Sequence, residues 1–347
     1  MTAFNRLKTR PTLPPMEAKL VESLPAGEGW QFEPKWDGFR CLVFRDGDQV
    51  VLQSKAERPL ERYLPEVAAA VRSIAAQRFV LDGELIISIG GVLSFDALQA
   101  RLHPAESRIR KLSAETPAQL MLFDCLELEG ETLCGRPLSE RRRILERFHA
   151  GTARDDILLS PCTLDRDVAQ GWLDEAGGAL DGVIAKRRDG HYESGVRTML
   201  KVKQMRTADC VVGGFRYAVK GGLVGSLLLG LYDEEDRLNH VGFTSAIPAA
   251  EKKSLTRQLE SLVEPPGFTG RAPGGPSRWS SERSAAWEPL RPKLVAEVRY
   301  DHVTGDRFRH GTKFLRWRPD KAPRQCRMDQ LRHEAPPAEL ATRIGAA

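Results

Sequence analysis

No stretch of this 347-residue chain approaches the ~20 consecutive apolar residues that a membrane-spanning helix needs. The first 20 residues include basic side chains but no hydrophobic run, so no secretory signal is expected and a cytoplasmic location is. Cysteine is sparse. Cys41, Cys125, Cys134, Cys162, Cys210 and Cys326 stand singly, with no CxxC pair. That argues against a zinc ribbon and against a disulfide framework, and suits a reducing compartment. The seven histidines show no metal-ligand spacing, and internal repeats and low-complexity segments are missing. A strong excess of one charge sign is also missing, since the net charge is only +5. Its distribution is uneven. Residues 204–347 hold 23 basic and 17 acidic side chains, a surplus of six, against a deficit of one in residues 1–203. Polyanion binding and a solubility surface both fit that asymmetry.

Hydrophobic residues make up 41% of the chain and charged residues 29%, enough of both for buried cores and a solvated surface. At ~100–200 residues per domain, the length suggests two domains. Residues 1–20, with Pro11, Pro14 and Pro15, read as an extended lead-in. A β pattern follows over residues 30–34, 39–44 and, beyond the Asp46-Gly47-Asp48 turn, 50–53. Residues 78–89, 120–128, 180–185 and 199–202 also read as strands, and 64–76, 95–102, 139–149 and 168–176 as helices. From about Lys203 the texture changes to short strands (210–217, 226–232, 238–244, 293–302, 313–317) with one helix over 249–262. The pattern predicts an α+β domain with antiparallel sheets and helices over 1–203 and a small all-β barrel of the OB type over 204–332. A flexible tail is predicted over 333–347.

The densest chemistry lies in Glu33-Pro34-Lys35-Trp36-Asp37-Gly38-Phe39-Arg40. It places one amine at a tight turn with an arginine close behind. A free lysine, with a pKa of ~10.4, acts as a nucleophile only where neighbouring cations or a metal favour its neutral form. Alone, Lys-x-Asp-Gly is more readily a surface turn with a solvated lysine. It does not stand alone. Lys-x-Asp-Gly-x-Arg resembles motif I of the covalent nucleotidyltransferases, the superfamily of DNA ligases, RNA ligases and mRNA capping enzymes. Further stretches resemble that superfamily's motifs in its order: Ser54-Lys55, Leu81-Asp82-Gly83-Glu84-Leu85, Leu122-Phe123-Asp124, Asp181-Gly182-Val183-Ile184-Ala185-Lys186, Lys201-Val202-Lys203, and Arg316-x-Arg318-Pro319-Asp320-Lys321. The resemblance runs from about residue 16 to 332.

The resemblance implies a nucleotidyltransferase (adenylation) domain followed by an OB-fold, and a role for each motif. Lys35 attacks the α-phosphate of ATP and carries AMP. Lys201 and Lys203, two apart on a strand and so on one face, meet the α-phosphate, where converging cations stabilise the transferring group. Arg40 contacts the ribose or, later, the nick phosphate. Glu84 binds the ribose hydroxyls or a metal, Phe123 stacks on the base, and Glu33 helps read the adenine edge. Lys55 and Lys186 join the nucleotide-binding set, and Arg316, Arg318 and Lys321 close over the β- and γ-phosphates. Asp181 holds Mg²⁺ or Mn²⁺ together with Glu84. Two positions depart from the family pattern. Lys55 replaces the arginine to which the resemblance gives a phosphate contact, and loses its bidentate geometry. Asp181 replaces glutamate, one methylene shorter, which leaves direct or water-bridged metal contact open. The run from Arg309 to Phe314 also carries an extra residue. Gly221-Gly222-Leu223-Val224-Gly225-Ser226 lacks the lysine of a P-loop and reads as a hairpin turn, and His302 and His310 read as structural or DNA-facing.

Tyr192-x-Ser194-Gly195-x-Arg197-Thr198 and the closing Cys326-Arg327-Met328-Asp329-Gln330-Leu331 resemble bacterial ATP-dependent DNA ligases, especially the ligase C type and the ligase domain of ligase D. That implies a monomer acting on nicked or gapped duplex DNA, with DNA-repair proteins as partners. The alternatives are an RNA-end guanylyltransferase, which shares the two-domain plan, an RNA ligase, and a polynucleotide clamp that has lost nucleotidyl transfer. An NAD-dependent ligase is disfavoured by the missing four-cysteine zinc module. The three implied steps are lysine adenylation, AMP transfer to a 5′-phosphate, and attack by the 3′-hydroxyl. They need the barrel in different places, with a hinge near residues 203–207.

Overall fold

The structure is a computed structural model, and it describes residues 4–152, 154–175, 180–219, 222–274 and 286–331. The tail expected over 333–347 lies outside the described residues. The described chain forms two compact units, residues 4–203 and 204–331. No described helix is long and apolar enough to cross a membrane.

The first unit is built on two large sheets, beside a two-stranded hairpin of Ser88–Ile89 and Val92–Leu93. One runs in the order β1 (Ala18–Val21), β9 (Met199–Val202), β8 (Gly182–Arg187), β2 (Trp30–Lys35). The other runs β7 (Ile157–Leu159), β6 (Gln119–Leu128), β5 (Arg78–Ile86), β3 (Phe39–Asp46), β4 (Gln49–Ser54). Pairing is antiparallel except β1 with β9 and β7 with β6. The near-continuous apolar runs of β3, β5 and β6 exist because the second sheet is covered on both faces. Cys41, Val43, Leu81, Leu120 and Leu122 pack with Val67 and Val71 of α1 (Pro65–Ser73) and Leu145 and Phe148 of α4 (Leu138–Ala150). Leu42, Phe44, Val80 and Leu126 face the other way and pack with Phe4, Leu7, Met16 and Tyr192. The N-terminal segment is therefore part of the core. The Thr9 amide donates to Glu127 Oε2 at 2.7 Å, and residues 18–21 form a strand rather than an extended lead-in.

Between β5 and β6 lie α2 (Phe95–Arg101) and α3 (Glu106–Glu115), and α5 (Arg166–Glu175) precedes β8. The pattern reading missed α3 for a physical reason. Its sequence, ESRIRKLSAE, buries only Ile109 and so shows no apolar stripe.

The second unit is built on five antiparallel strands: β10 (Arg206–Tyr217), β11 (Val224–Tyr232), β12 (Leu238–Thr244), β13 (Val295–Tyr300) and β14 (Lys313–Trp317). Their order is β12-β11-β10-β13-β14, with α6 (Lys252–Glu260) between the third and fourth strands. The edge strands meet at a single bridge, Thr244 to Thr312, so this OB-type barrel is partly open. The one helix expected in this unit is α6, whose Leu255 and Leu259 pack into its core. The glycine turn between β10 and β11 joins antiparallel strands, although residues 220 and 221 lie outside the described residues.

Candidate active site

The two sheets of the first unit meet at Trp36-Asp37-Gly38, which carries the chain from Lys35, last in β2, to Phe39, first in β3. Gly38 is required at this corner. A Cβ there would lie 2.1 Å from the Leu85 carbonyl oxygen and 2.9 Å from Glu84 Cγ. The glycine lets the corner press against β5 and brings Glu84 within electrostatic reach of Lys35. Gly182, at φ +137°, opens β8 directly opposite Lys35, where a Cβ would lie 2.0 Å from the Val202 carbonyl oxygen. The Asp181 amide before it donates to the Lys35 carbonyl at 2.9 Å.

Side chains alternate across a strand, and register sets who shares a face. Leu20, Lys201, Ile184 and Glu33 lie in one row across β1, β9, β8 and β2. Two residues away on the same face lie Ala18, Met199 and Lys186 to one side of that row and Lys35, opposite Gly182, to the other. All eight line a cavity of about 820 Å³. The second sheet contributes Arg40 from β3, Glu84 from β5 and Phe123 from β6. Phe123 arrives there through a register shift. Asp82 pairs with Asp124 and Gly83 with Leu122, so Phe123 is the extra residue of a bulge, a device that re-aims a side chain.

Electrostatics divide the cavity. At one end Lys35 forms an ion pair with Asp181, whose other oxygen is 3.1 Å from Lys203 Nζ. Burial would raise the Asp181 pKa, but Lys35 and Lys203 outweigh it and hold the carboxyl below its ordinary value. Lys201 is shifted down, by burial first and then by Lys35, Lys203 and Lys55. Burial pushes the Glu84 carboxyl up to about 7, against the pull of Lys35 and Arg40. This end can receive a phosphate, since it concentrates ammonium groups around one carboxylate.

The other end is aromatic and tightly paired. The Arg40 guanidinium and the Lys186 ammonium lie 4.5 and 4.7 Å from the Phe123 ring centroid. Glu33 is 2% exposed, and it pairs with Lys186 at 2.6 Å and accepts from Gln31 Nε2 at 2.8 Å. Arg40 donates twice to Asp82 at 2.6 Å. Burial opposes its charge, but Asp82 overrides this and holds the guanidinium protonated. The Tyr192 hydroxyl donates to Asp82 at 2.7 Å and accepts from the Met16 amide at 3.0 Å. An aromatic face beside a buried, fully hydrogen-bonded carboxylate suits a planar polar base.

Eight of the residues singled out from sequence therefore share the cavity: Glu33, Lys35, Arg40, Lys55, Glu84, Phe123, Lys186 and Lys201. Others stand differently. Lys203 lies one residue beyond the end of β9, does not line the cavity, and reaches the site through Asp181. Asp181 sits behind Lys35 and does not line the cavity. Lys55 is exposed at the mouth and paired with Glu17 at 3.2 Å. Arg316, Arg318 and Lys321 belong to the second unit. There Arg316 pairs with Glu297 at 2.5 Å, Arg318 with Asp209 at 2.9 Å and Asp320 at 2.8 Å, and Lys321 with Asp209 at 2.8 Å. His310 lies 3.1 Å from Asp301. Sequence reasoning gave no role to Asp82, Tyr192 or Glu17. Asp82 and Tyr192 lie inside quoted motifs, but nothing local says that they meet across 110 residues.

For a divalent cation, the described residues hold no cluster of three acidic, histidine or cysteine ligands. Two carboxylates, Glu84 and Asp181, act on Lys35. That set fits an ion such as Mg²⁺, which takes one or two carboxylates and draws its remaining ligands from phosphate and water.

Comparison with known proteins agrees with this chemistry. The family model described as ATP dependent DNA ligase domain matches residues 15–203, and that described as ATP dependent DNA ligase C terminal region matches 220–321. DNA ligase C of Mycobacterium tuberculosis is 46% identical over 343 residues, covering 94% of this chain and 95% of that protein. DNA ligase C2 of Mycolicibacterium smegmatis is 45% identical over 347 residues, covering 95% and 97%. Among solved structures, the ligase domain of M. tuberculosis LigD aligns over 91% of this chain and 98% of that one, at 29% identity and a TM-score of 0.50.

Proposed function

This chain belongs to the ATP-dependent DNA ligase family, and from that membership we infer that it seals nicks in duplex DNA with Lys35 as the residue that carries AMP. The observation that carries the reading is the single cavity shared by Lys35, Lys201, Glu33 and Phe123. The DNA ligase names of its relatives favour it over an RNA-end guanylyltransferase or an RNA ligase.

In the first step Lys35 leaves Asp181 and gives up its ammonium proton to solvent, and the neutral amine attacks the α-phosphorus of ATP. A nitrogen–phosphorus bond forms, the phosphorus–oxygen bond to the β-phosphate breaks, and pyrophosphate leaves. Lys201 and Lys203 stabilise the charge developing on the phosphoryl oxygens. Phe123 offers its ring to the base, and Glu33 with Lys186 reads the base edge. Arg40, fixed by Asp82, contacts the ribose and then the nick phosphate. The 5′-phosphate of the nick next takes AMP from Lys35, and finally the 3′-hydroxyl attacks that phosphate and displaces AMP. Glu84 and Asp181 would hold Mg²⁺ or Mn²⁺, which supplies positive charge to phosphate oxygens. Arg316, Arg318 and Lys321 serve the outer phosphates in the first step alone, with a hinge over residues 203–207 moving the second unit between steps. The enzyme works as a monomer of an adenylation domain over 1–203 and an OB-fold over 204–332, in the cytoplasm, on breaks presented during DNA repair.

The test is direct. Mass spectrometry after incubation with ATP should find one AMP per chain in the wild type and none in Lys35→Ala, at an unchanged melting temperature. An adduct on the variant would remove Lys35 from this role.

A further inference from the structure

The mouth of the cavity carries more cations than the motifs assign. Lys19, Lys55, Arg58 and Arg197 all line it. Glu17 takes two of them, Lys55 and Arg197, each at 3.2 Å. Lys55 occupies the position to which the family resemblance gives a phosphate contact. Here it is a single point charge without arginine's fork, and its charge is already matched by a carboxylate.

Arg58, three residues on, is arranged differently. Its amide donates to Ser54 Oγ at 3.0 Å, and its carbonyl accepts from the Ser54 amide at 2.9 Å. The Glu57 amide donates to the Ser54 carbonyl at 2.9 Å, with Glu57 itself at φ 58°. Pro59 then fixes the chain on the far side. The backbone of Arg58 is thus held from both directions while its side chain is exposed at the mouth. Among the described residues no carboxylate pairs with its guanidinium. Lys19 is also exposed, but it is a point charge on the edge strand β1. A guanidinium can grip two phosphate oxygens at once, which an ammonium cannot do with fixed geometry.

We propose that Arg58, not Lys55, is the phosphate-contacting cation of this turn, and that Glu17 keeps Lys55 paired away from the ligand. The ligand is a phosphate at the cavity mouth, from one of two sources: the outer phosphates of ATP or the 5′-phosphate of the nick. The assignment rests on the ligase reading, and the experiment separates the two.

The full chain is assayed in three arms: formation of the lysine–AMP adduct from ATP, sealing of a plain nick by enzyme already carrying AMP, and sealing of a nick already carrying 5′-AMP without ATP. Arg58→Ala should slow the affected arm by about tenfold or more, the worth of a charge-assisted contact. Slowing of the first arm identifies ATP as the source, and slowing of the second and third together identifies the nick. Lys55→Ala should cost less than about threefold, and Arg58→Lys should fall between Arg58→Ala and wild type. Glu17→Gln combined with Arg58→Ala should recover part of the loss, because Lys55 is then free to move in. A fold defect would not be relieved by a second substitution at Glu17. Wild-type rates for Arg58→Ala in every arm, a larger loss for Lys55→Ala, or no recovery in the double variant would each overturn the proposal. Failure of the wild-type chain to form the adduct or seal a nick would instead overturn the ligase reading, whatever the ratios among variants.

Discussion

Lys201 and Lys203 are the same residue type two positions apart, yet they stand in different surroundings. Lys203 is matched by Asp181 at 3.1 Å. Lys201 lines the cavity, where burial and three neighbouring lysines disfavour its charge. A cation in such a place costs the empty protein and serves a phosphate when one arrives. Lys201→Ala should therefore slow adduct formation by about 10²–10³-fold, the usual loss for one transition-state donor, without lowering the melting temperature. Rapid-quench measurement of lysine–AMP formation beside a thermal melt checks both halves. A variant that seals normally, or that melts early, would return Lys201 to a structural role.

At the scale of elements, β3, β5 and β6 are legible as apolar runs because two cores cover one sheet. The bulge in β6 is not legible. LMLFDCLEL contains nothing that singles out Phe123 from its neighbours, and the register shift against β5 decides which way that ring points. In the second unit β12 carries His240, which is 4% exposed, with Phe268 at 5.4 Å between centroids and Arg307 Nη2 3.2 Å from its Nδ1. Burial first, and then Arg307, Arg216 and Arg271, push its pKa down from 6.5 to about 3. The folded state thus keeps His240 neutral at pH values where the unfolded chain takes up a proton. Its linkage costs no stability above pH 6.5 and destabilises the fold progressively as pH falls toward 3. Calorimetry from about pH 7 to about pH 4.5 should show a shallower loss of melting temperature in His240→Gln than in wild type. Equal slopes would mean that His240 charges in place.

At the scale of the whole molecule, two predictions concern the second unit. Arg318 is held within that unit by Asp209 and Asp320, and pyrophosphate, the group it is proposed to meet, exists only in the first step. Arg318→Ala should seal a nick already carrying 5′-AMP at near wild-type rate while failing with ATP and a plain nick. Equal defects on both substrates would assign Arg318 to holding Asp209 in place instead. The surplus of six positive charges over residues 204–347 predicts nick binding that weakens steeply with salt and depends little on base sequence. Titrations at a series of salt concentrations decide it, and a flat response would reduce the asymmetry to a solubility surface.

The ligase reading was available from the sequence by itself, because the stretches from Lys35 to Lys321 resemble the nucleotidyltransferase motifs in that family's order, and residue identity and order are written directly in the chain. The sequence also determined most strands, because burial writes apolar runs directly into β3, β5 and β6. Only the tertiary structure decided the partners: Asp82 for Arg40, Tyr192 for Asp82, Glu17 for Lys55 and Arg197, and Asp181 for both Lys35 and Lys203. These ion pairs and hydrogen bonds, most of them between residues far apart in sequence, depend on strand register and on glycines at two corners. Local pattern carries no signal for contacts whose geometry exists only after the sheets have met.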